Sequence, residues 1–126
     1  MPRNPIVTPD APAAIGPYSQ GTFAGNLVFT SGQLPVTSDG VLILDDVAKA
    51  TRQSLVNVRA VLEAAGARLD DVVKITIYLR DMADFAAVNE VYAGFFEDPA
   101  PARSCVQVAR LPKDAPIEIE ALAVRP

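Results

Sequence analysis

The chain has 126 residues, 11 basic against 15 acidic, 50% apolar and 6% aromatic, with one Cys, no His and no Trp, a length suited to a single domain over 1–126. Zero His excludes an imidazole base, the His-containing nucleophilic triads and every His zinc site, and one Cys excludes an intrachain disulfide or a four-thiolate metal centre. The net charge of −4 supplies no diffuse basic field for a phosphate backbone, so nucleic acid is a disfavoured partner.

The first segment, Met1 to Pro17, carries five Pro and reads as an irregular arm. It has no apolar h-region, which argues against export, and the lone thiol suits a reducing cytoplasm. From Ala11 to Ser38 there are 28 consecutive uncharged positions, broken by Ser19, Gln20, Asn26 and Gln33. This is too polar for a membrane span, so the sequence predicts no membrane partner. Either the stretch lies in its own core or it packs on another subunit, because large neutral apolar patches are rare on monomers.

Short strands over Thr22–Ala24 and Asn26–Thr30 flank a Gly25-Asn26 turn, the pairing of a hairpin. Ser38-Asp39-Gly40 marks a further turn. Over Asp46 to Ala65, Val47, Leu55, Val58, Leu62 and Ala65 recur at helical spacing, with Asp45 as the candidate cap and Gly66 as the stop. Between Val72 and Arg80 the period changes to two, placing Val73, Ile75, Ile77 and Leu79 on one face of a strand. Asp81 or Asp84 starts a second helix with Phe85, Val88, Tyr92 and Phe95 or Phe96 on its apolar stripe, ended before Pro99. Two final strands, Arg103–Ala109 and Ile117–Val124, are joined through Leu111-Pro112-Lys113-Asp114.

The predicted order is β-β-α-β-α-β-β, an α+β sheet whose two helices cover one face. The other face carries Leu122 and Val124 beside Glu118 and Glu120, which points to burial against copies of the same chain. On the penultimate strand Arg103, Cys105 and Gln107 alternate against Ser104, Val106 and Val108. Taken as neighbours, the last two strands present Arg103, Cys105 and a carboxylate on a shared surface.

The planar fork of Arg103 suits a substrate carboxylate, and its structural alternative is an Arg–Glu salt bridge at the interface between subunits. Glu118 is a candidate general base for water, with the alternative of pairing Arg103 or facing solvent. Cys105, beside an Arg, gains thiolate character, while the competing role is that of a small buried apolar residue. No phosphate-binding Gly loop, dinucleotide fingerprint or metal-ligand spacing is present.

These residues lie in motifs that resemble the RidA family, enamine/imine deaminases also known as YjgF-type or L-PSP endoribonuclease proteins. The resemblance covers about Ala11 to Arg125. It rests on the run Ala-Pro-Ala-Ala-Ile-Gly-Pro-Tyr-Ser-Gln at 11–20, on Thr-Ser-Gly-Gln-Leu-Pro at 30–35 and on Arg-Gln-Ser-Leu-Val-Asn-Val at 52–58. Its most specific parts are Pro-Ala-Arg-Ser-Cys-Val at 101–106, Val-Ala-Arg-Leu-Pro-Lys-Asp at 108–114 and Ile-Glu-Ile-Glu-Ala at 117–121.

The resemblance implies a chorismate-mutase-like protomer in a homotrimeric barrel, sheets inward and helices outward, with active sites in the clefts between subunits. It implies hydrolysis of 2-aminoacrylate and 2-aminocrotonate, through their imine tautomers, to pyruvate or 2-oxobutanoate plus ammonia, without metal or cofactor. The functional link is to the pyridoxal-phosphate dehydratases that release these intermediates.

Carried over by position, Arg103 holds the substrate carboxylate, Glu118 activates water, and Cys105 lines the pocket. Tyr18 stands as an aromatic wall, Ser31 and Gly32 form a short pocket segment, and Asn89 is a helix residue near the cleft. Two departures stand out. The four residues Glu97 to Ala100 are shorter than the loop of many members and end in a small rim residue, and Gln107 replaces a common Glu. The rival readings are an endoribonuclease that inhibits translation, and a small-carboxylate-binding or chaperone-like trimer without turnover.

Overall fold

The computed structural model describes residues 2–126. In chain order the strands and helices are β1 (Asn4–Ile6), β2 (Gly21–Ala24), β3 (Leu27–Thr30), α1 (Val47–Ala64), β4 (Val72–Leu79), α2 (Phe85–Ala93), β5 (Ala102–Gln107) and β6 (Ile117–Val124). The strands form one sheet in the order β1-β2-β3-β6-β4-β5. Every pairing is antiparallel except β4 with β5, which α2 connects as a crossover. The α+β class and the sequence of helices follow the sequence pattern, with one strand added.

That strand is β1, in the arm read from sequence as irregular. It pairs Asn4 with Phe23, Pro5 with Thr22 and Ile6 with Gly21. Proline lacks a ladder donor and is confined to edges, and β1 is the edge of this sheet, so Pro5 does not break it. The pairing buries Ile6 in the core.

Helix α1 starts one residue later than the predicted cap. Asp46, not Asp45, is the N-cap, in extended backbone, and its side chain accepts from the Lys49 N–H at 3.0 Å. At the other end the Ala67 N–H donates to the Leu62 carbonyl and the Gly66 N–H to Glu63, each at 3.0 Å. These two bonds form a Schellman closure, whose left-handed residue is Gly66 at φ +80. For the second helix, Asp81 caps a 3-10 turn over Met82–Asp84 and α2 follows directly.

The alternation in β4 holds from Lys74 onward, but Val73 leaves it. A register shift between Val72 and Lys74 puts Val72 opposite Ala123 and turns Val73 outward, 45% exposed. A bulge inserts one residue and so reverses the faces on one side of itself. Beyond it, Ile75, Ile77, Leu79, Ile117, Ile119, Ala123 and Val28 are fully or almost fully buried beneath Leu55, Val58, Val61 and Leu62 of α1 and Val88 of α2. Each of the Val, Leu and Ile side chains among them contributes about 1.5–3 kcal/mol by burial.

The opposite face carries Leu27, Phe29, Tyr78, Glu118, Glu120, Leu122, Ser104 and Val106. Neither helix packs on it, and Leu27, Phe29 and Val106 remain about 40% exposed. The two helices therefore cover one face, as their number predicted.

Strand order overturns one expectation. β5 and β6 are not neighbours, because β4 lies between them. Ile75 sits opposite Arg103 and Ile77 opposite both Cys105 and Ile119, whereas Tyr78 sits opposite Glu118. Residues opposite one another share a face. Arg103 and Cys105 therefore lie on the helix-covered side of the sheet and Glu118 on the open side, so one chain does not present them on a shared surface.

Candidate active site

The carboxylate half of the site is built where β6 meets the segment after β3. Gln33 and Ile119 exchange backbone hydrogen bonds, 2.7 Å from the Gln33 N–H and 3.2 Å from the Ile119 N–H. That bridge brings Gly32 against Glu118. A Cβ on residue 32 would collide with the Glu118 carboxylate, so only glycine leaves the carboxylate its place. Ser31 is tied on both sides, its N–H to the Gln20 carbonyl at 2.9 Å and its hydroxyl to the Ser19 carbonyl.

Two buried amides hold the walls. The Gln20 amide donates to the carbonyls of Thr8, Ala11 and Pro12 at 2.8–3.1 Å and accepts from the Thr8 N–H at 2.7 Å, fastening the arm. Asn57 of α1 donates to the carbonyls of Leu34 and Val36 at 3.1 and 2.9 Å. Buried amides without such partners would be costly. Sequence reasoning missed both roles, although a Gln or Asn inside an otherwise apolar run is the available signal.

Between these walls runs a groove of about 830 Å³, lined among others by Tyr18, Ser31, Gly32, Gln33, Lys113 and Glu118. Tyr18 is 52% exposed at its side. Burial pushes the Glu118 carboxyl above its ordinary range, and the like charge of Glu120 pushes it further. Burial and the same two carboxylates also raise Tyr78, which stands opposite Glu118. A carboxylate moved toward neutrality is a better proton acceptor from water.

The cationic half lies across the sheet, under α2. Arg103 donates from Nη1 to Oδ1 of Asn89 at 2.7 Å. Its Cζ stands 4.9 Å from the ring centroid of Tyr92 and 5.5 Å from that of Phe85. These contacts fix the guanidinium plane without neutralising it. Among the described residues the one ion pair joins Arg110 to Asp114, so Arg103 meets no carboxylate of its own chain.

Cys105 packs at the core margin beside Arg103. The expected thiolate character does not appear: burial raises the thiol pKa, and this outweighs the opposing pull of Arg103. Gln107, at the end of the same strand, accepts from the Met82 N–H at 2.7 Å and so anchors the entry to α2. The structure thus gathers Tyr18, Ser31, Gly32 and Glu118 around one groove, and Arg103, Cys105 and Asn89 under one helix, on opposite sides of the sheet. Among the described residues no cluster of three or more His, Cys, Asp or Glu side chains suits a metal ion, and no helix is long and apolar enough to cross a membrane.

The chain is a small α+β protein whose six-stranded sheet, covered by two helices on one face, carries a half-buried carboxylate on its open side and an oriented guanidinium under α2. The family model described as Endoribonuclease L-PSP matches residues 8–125, and with this match and its relatives the chain belongs to the RidA/YjgF family. The 2-iminobutanoate/2-iminopropanoate deaminase of Escherichia coli K12 is 55% identical over 123 residues, covering 95% of this chain and 96% of that protein. The crystal structure of the E. coli YjgF gene product superposes with a TM-score of 0.92 at 55% identity, covering 98% of this chain and 99% of that one. E. coli TdcF with bound serine gives a TM-score of 0.93 at 51% identity over the same shares of the two chains.

Proposed function

We propose that the protein hydrolyses short 2-imino acids, 2-iminobutanoate and 2-iminopropanoate, to the 2-oxo acids and ammonia. The single observation that carries this reading is Arg103, held by Asn89 and two aromatic faces and left without a carboxylate partner. Arg103 takes the substrate carboxylate through two parallel hydrogen bonds. That fixes the imine carbon, already electrophilic, for attack.

Glu118 accepts a proton from water as its oxygen bonds to the imine carbon and passes that proton to the nitrogen, giving an amino-alcohol. The carboxylate then takes the hydroxyl proton and delivers it to the nitrogen as the C–N bond breaks, leaving the C=O group and ammonia. Water supplies the ketone oxygen, and no electrons are gained or lost. Cys105, with its raised thiol pKa, serves as wall rather than nucleophile. Tyr18, Ser31 and Gly32 bound the groove in which the water is held.

The opposite-face placement of Arg103 and Glu118 supports a site shared between protomers, the Arg103 of one copy meeting the Glu118 of the next. A homotrimer built on the exposed face around Phe29 and Val106 meets this need, with three clefts. In this reading the protein works in the cytoplasm, downstream of the pyridoxal-phosphate dehydratases that release such imines. Endoribonuclease activity, which the family description names, finds a poor receptor here, since the charged lining of the groove is two carboxylates and one ammonium.

The test generates 2-iminobutanoate from threonine with a dehydratase, in the presence of semicarbazide as trap. Wild-type protein should speed 2-oxobutanoate formation and reduce trapping, and Arg103→Ala should do neither. A fully active Arg103→Ala protein would overturn the reading, and recovery of an unchanged bound imine would favour a carrier.

A further inference from the structure

The groove beside Glu118 is larger than a four-carbon imino acid requires. Its volume of about 830 Å³ falls among pockets that take much bulkier ligands, roughly 300–1,000 Å³. Of its lining residues only Asp10, Lys113 and Glu118 carry charge, and Lys113 is the one cation. The Lys113 ammonium makes no ion pair among the described residues.

The backbone is strained to place this lysine. Lys113 and Asp114, at φ +59 and +56, are consecutive non-glycine residues in the left-handed region. The Asp114 N–H donates to the Leu111 carbonyl at 3.1 Å, the Ala115 N–H to Pro112 at 3.2 Å, and Arg80 donates to the Asp114 carbonyl at 2.8 Å. Strain maintained by several contacts beside a cavity is a pattern of ligand-binding segments. At the arm, Asp10 also borders the shallow depression against α1 that holds Arg59 and Glu63. Its carboxylate repels an anion from that end.

We propose that Lys113 is a specificity-determining residue that receives a second, side-chain carboxylate, so that the substrate class includes 2-imino dicarboxylates. The assignment rests on the hydrolase reading above: with the α-carboxylate on Arg103, the far carboxylate is the group left for Lys113. The chemistry is unchanged. Water adds to the C=N carbon, the C–N bond breaks, and the products are a 2-oxo dicarboxylate and ammonium.

The experiment supplies 2-iminoglutarate, 2-iminobutanoate and the 2-imino acid of arginine from their amino acids with amino-acid oxidases and catalase. Hydrolysis is read as loss of semicarbazide trapping. Lys113→Ala and Lys113→Gly, the second free of backbone strain, should each lower kcat/KM for 2-iminoglutarate about tenfold or more relative to that for 2-iminobutanoate, as loss of one charge-assisted contact predicts. Lys113→Arg should restore most of the difference.

Equal losses on both imines, or an unchanged ratio, would overturn the assignment while leaving the hydrolase reading intact. A preference for the arginine-derived imine that disappears in Asp10→Asn would overturn it in favour of a cationic tail. Wild-type protein inactive on every imine would overturn the hydrolase reading and this assignment together.

Discussion

The two halves of the candidate site are built by different means. Glu118 sits in a half-buried pocket made by backbone: Gly32 beneath it, the bridge between Gln33 and Ile119, and segments fastened by Gln20 and Asn57. Arg103 is oriented by side chains alone, one amide and two rings of α2. Burial perturbs the carboxylate, whereas the guanidinium is held in orientation by its neighbours under the helix. A base requires a shifted proton affinity, and an anion receptor requires a fixed charge, so the two environments suit two roles.

The sharpest way to break this comparison is to disable each half separately. Arg103→Ala and Glu118→Gln should each lower kcat/KM for 2-iminobutanoate by about 10²- to 10⁴-fold. If the halves meet across a subunit boundary, unfolding and refolding the two inactive proteins together in equal amounts should recover about one quarter of wild-type activity, because random assembly gives one cleft in four both intact halves. Absence of any recovery, with mixed oligomers verified by mass, would place both halves in one chain.

Gly32→Ala comes next in size. Its Cβ collides with the Glu118 side chain, whose flexible end must swing aside, so it should cost activity about as much as Glu118→Gln with little change in stability, read by kcat/KM and Tm together. Asn89→Ala should act on the other half. Loss of one hydrogen bond to a charged group raises KM about tenfold with a smaller change in kcat, and a pure kcat effect would contradict the role of Asn89 in orienting Arg103.

The pH dependence separates the halves further. Glu118 must be ionised to act as base and its pKa is raised, so kcat/KM should fall on acidification with a midpoint above the ordinary 4.5. Glu120→Gln should move that midpoint down. A raised carboxyl pKa favours the folded state where the group is protonated: its contribution to stability is full below the unfolded pKa and is lost as pH rises through the folded one. Glu118→Gln should therefore have a higher Tm than wild type at pH 7, the difference vanishing below pH 4.5. The smallest expected effect is Cys105→Ala, which should keep kcat/KM within about threefold, as a packing change does.

Local patterns carried far. Helical spacing located α1 and α2, and alternation located β4 to β6, since these periods follow from backbone geometry. The uncovered face was legible from two helices against one sheet, and motif resemblance supplied the candidate site residues. Three misreadings were equally local. Asp46 caps where Asp45 was expected, the bulge turned Val73 outward, and Pro5 concealed a strand whose edge position tolerates it.

The sequence by itself determined the class of fold, the identity of the candidate residues and the presence of a second face that the helices leave uncovered. Only the tertiary structure decided that β4 separates β5 from β6, and hence that Arg103 and Glu118 lie on opposite sides of the sheet. Alternation specifies which residues of one strand share a face, but the relative facing of two strands depends on the register and order of the strands between them. Those are long-range pairings, selected by packing the whole core, and no short window of sequence contains them.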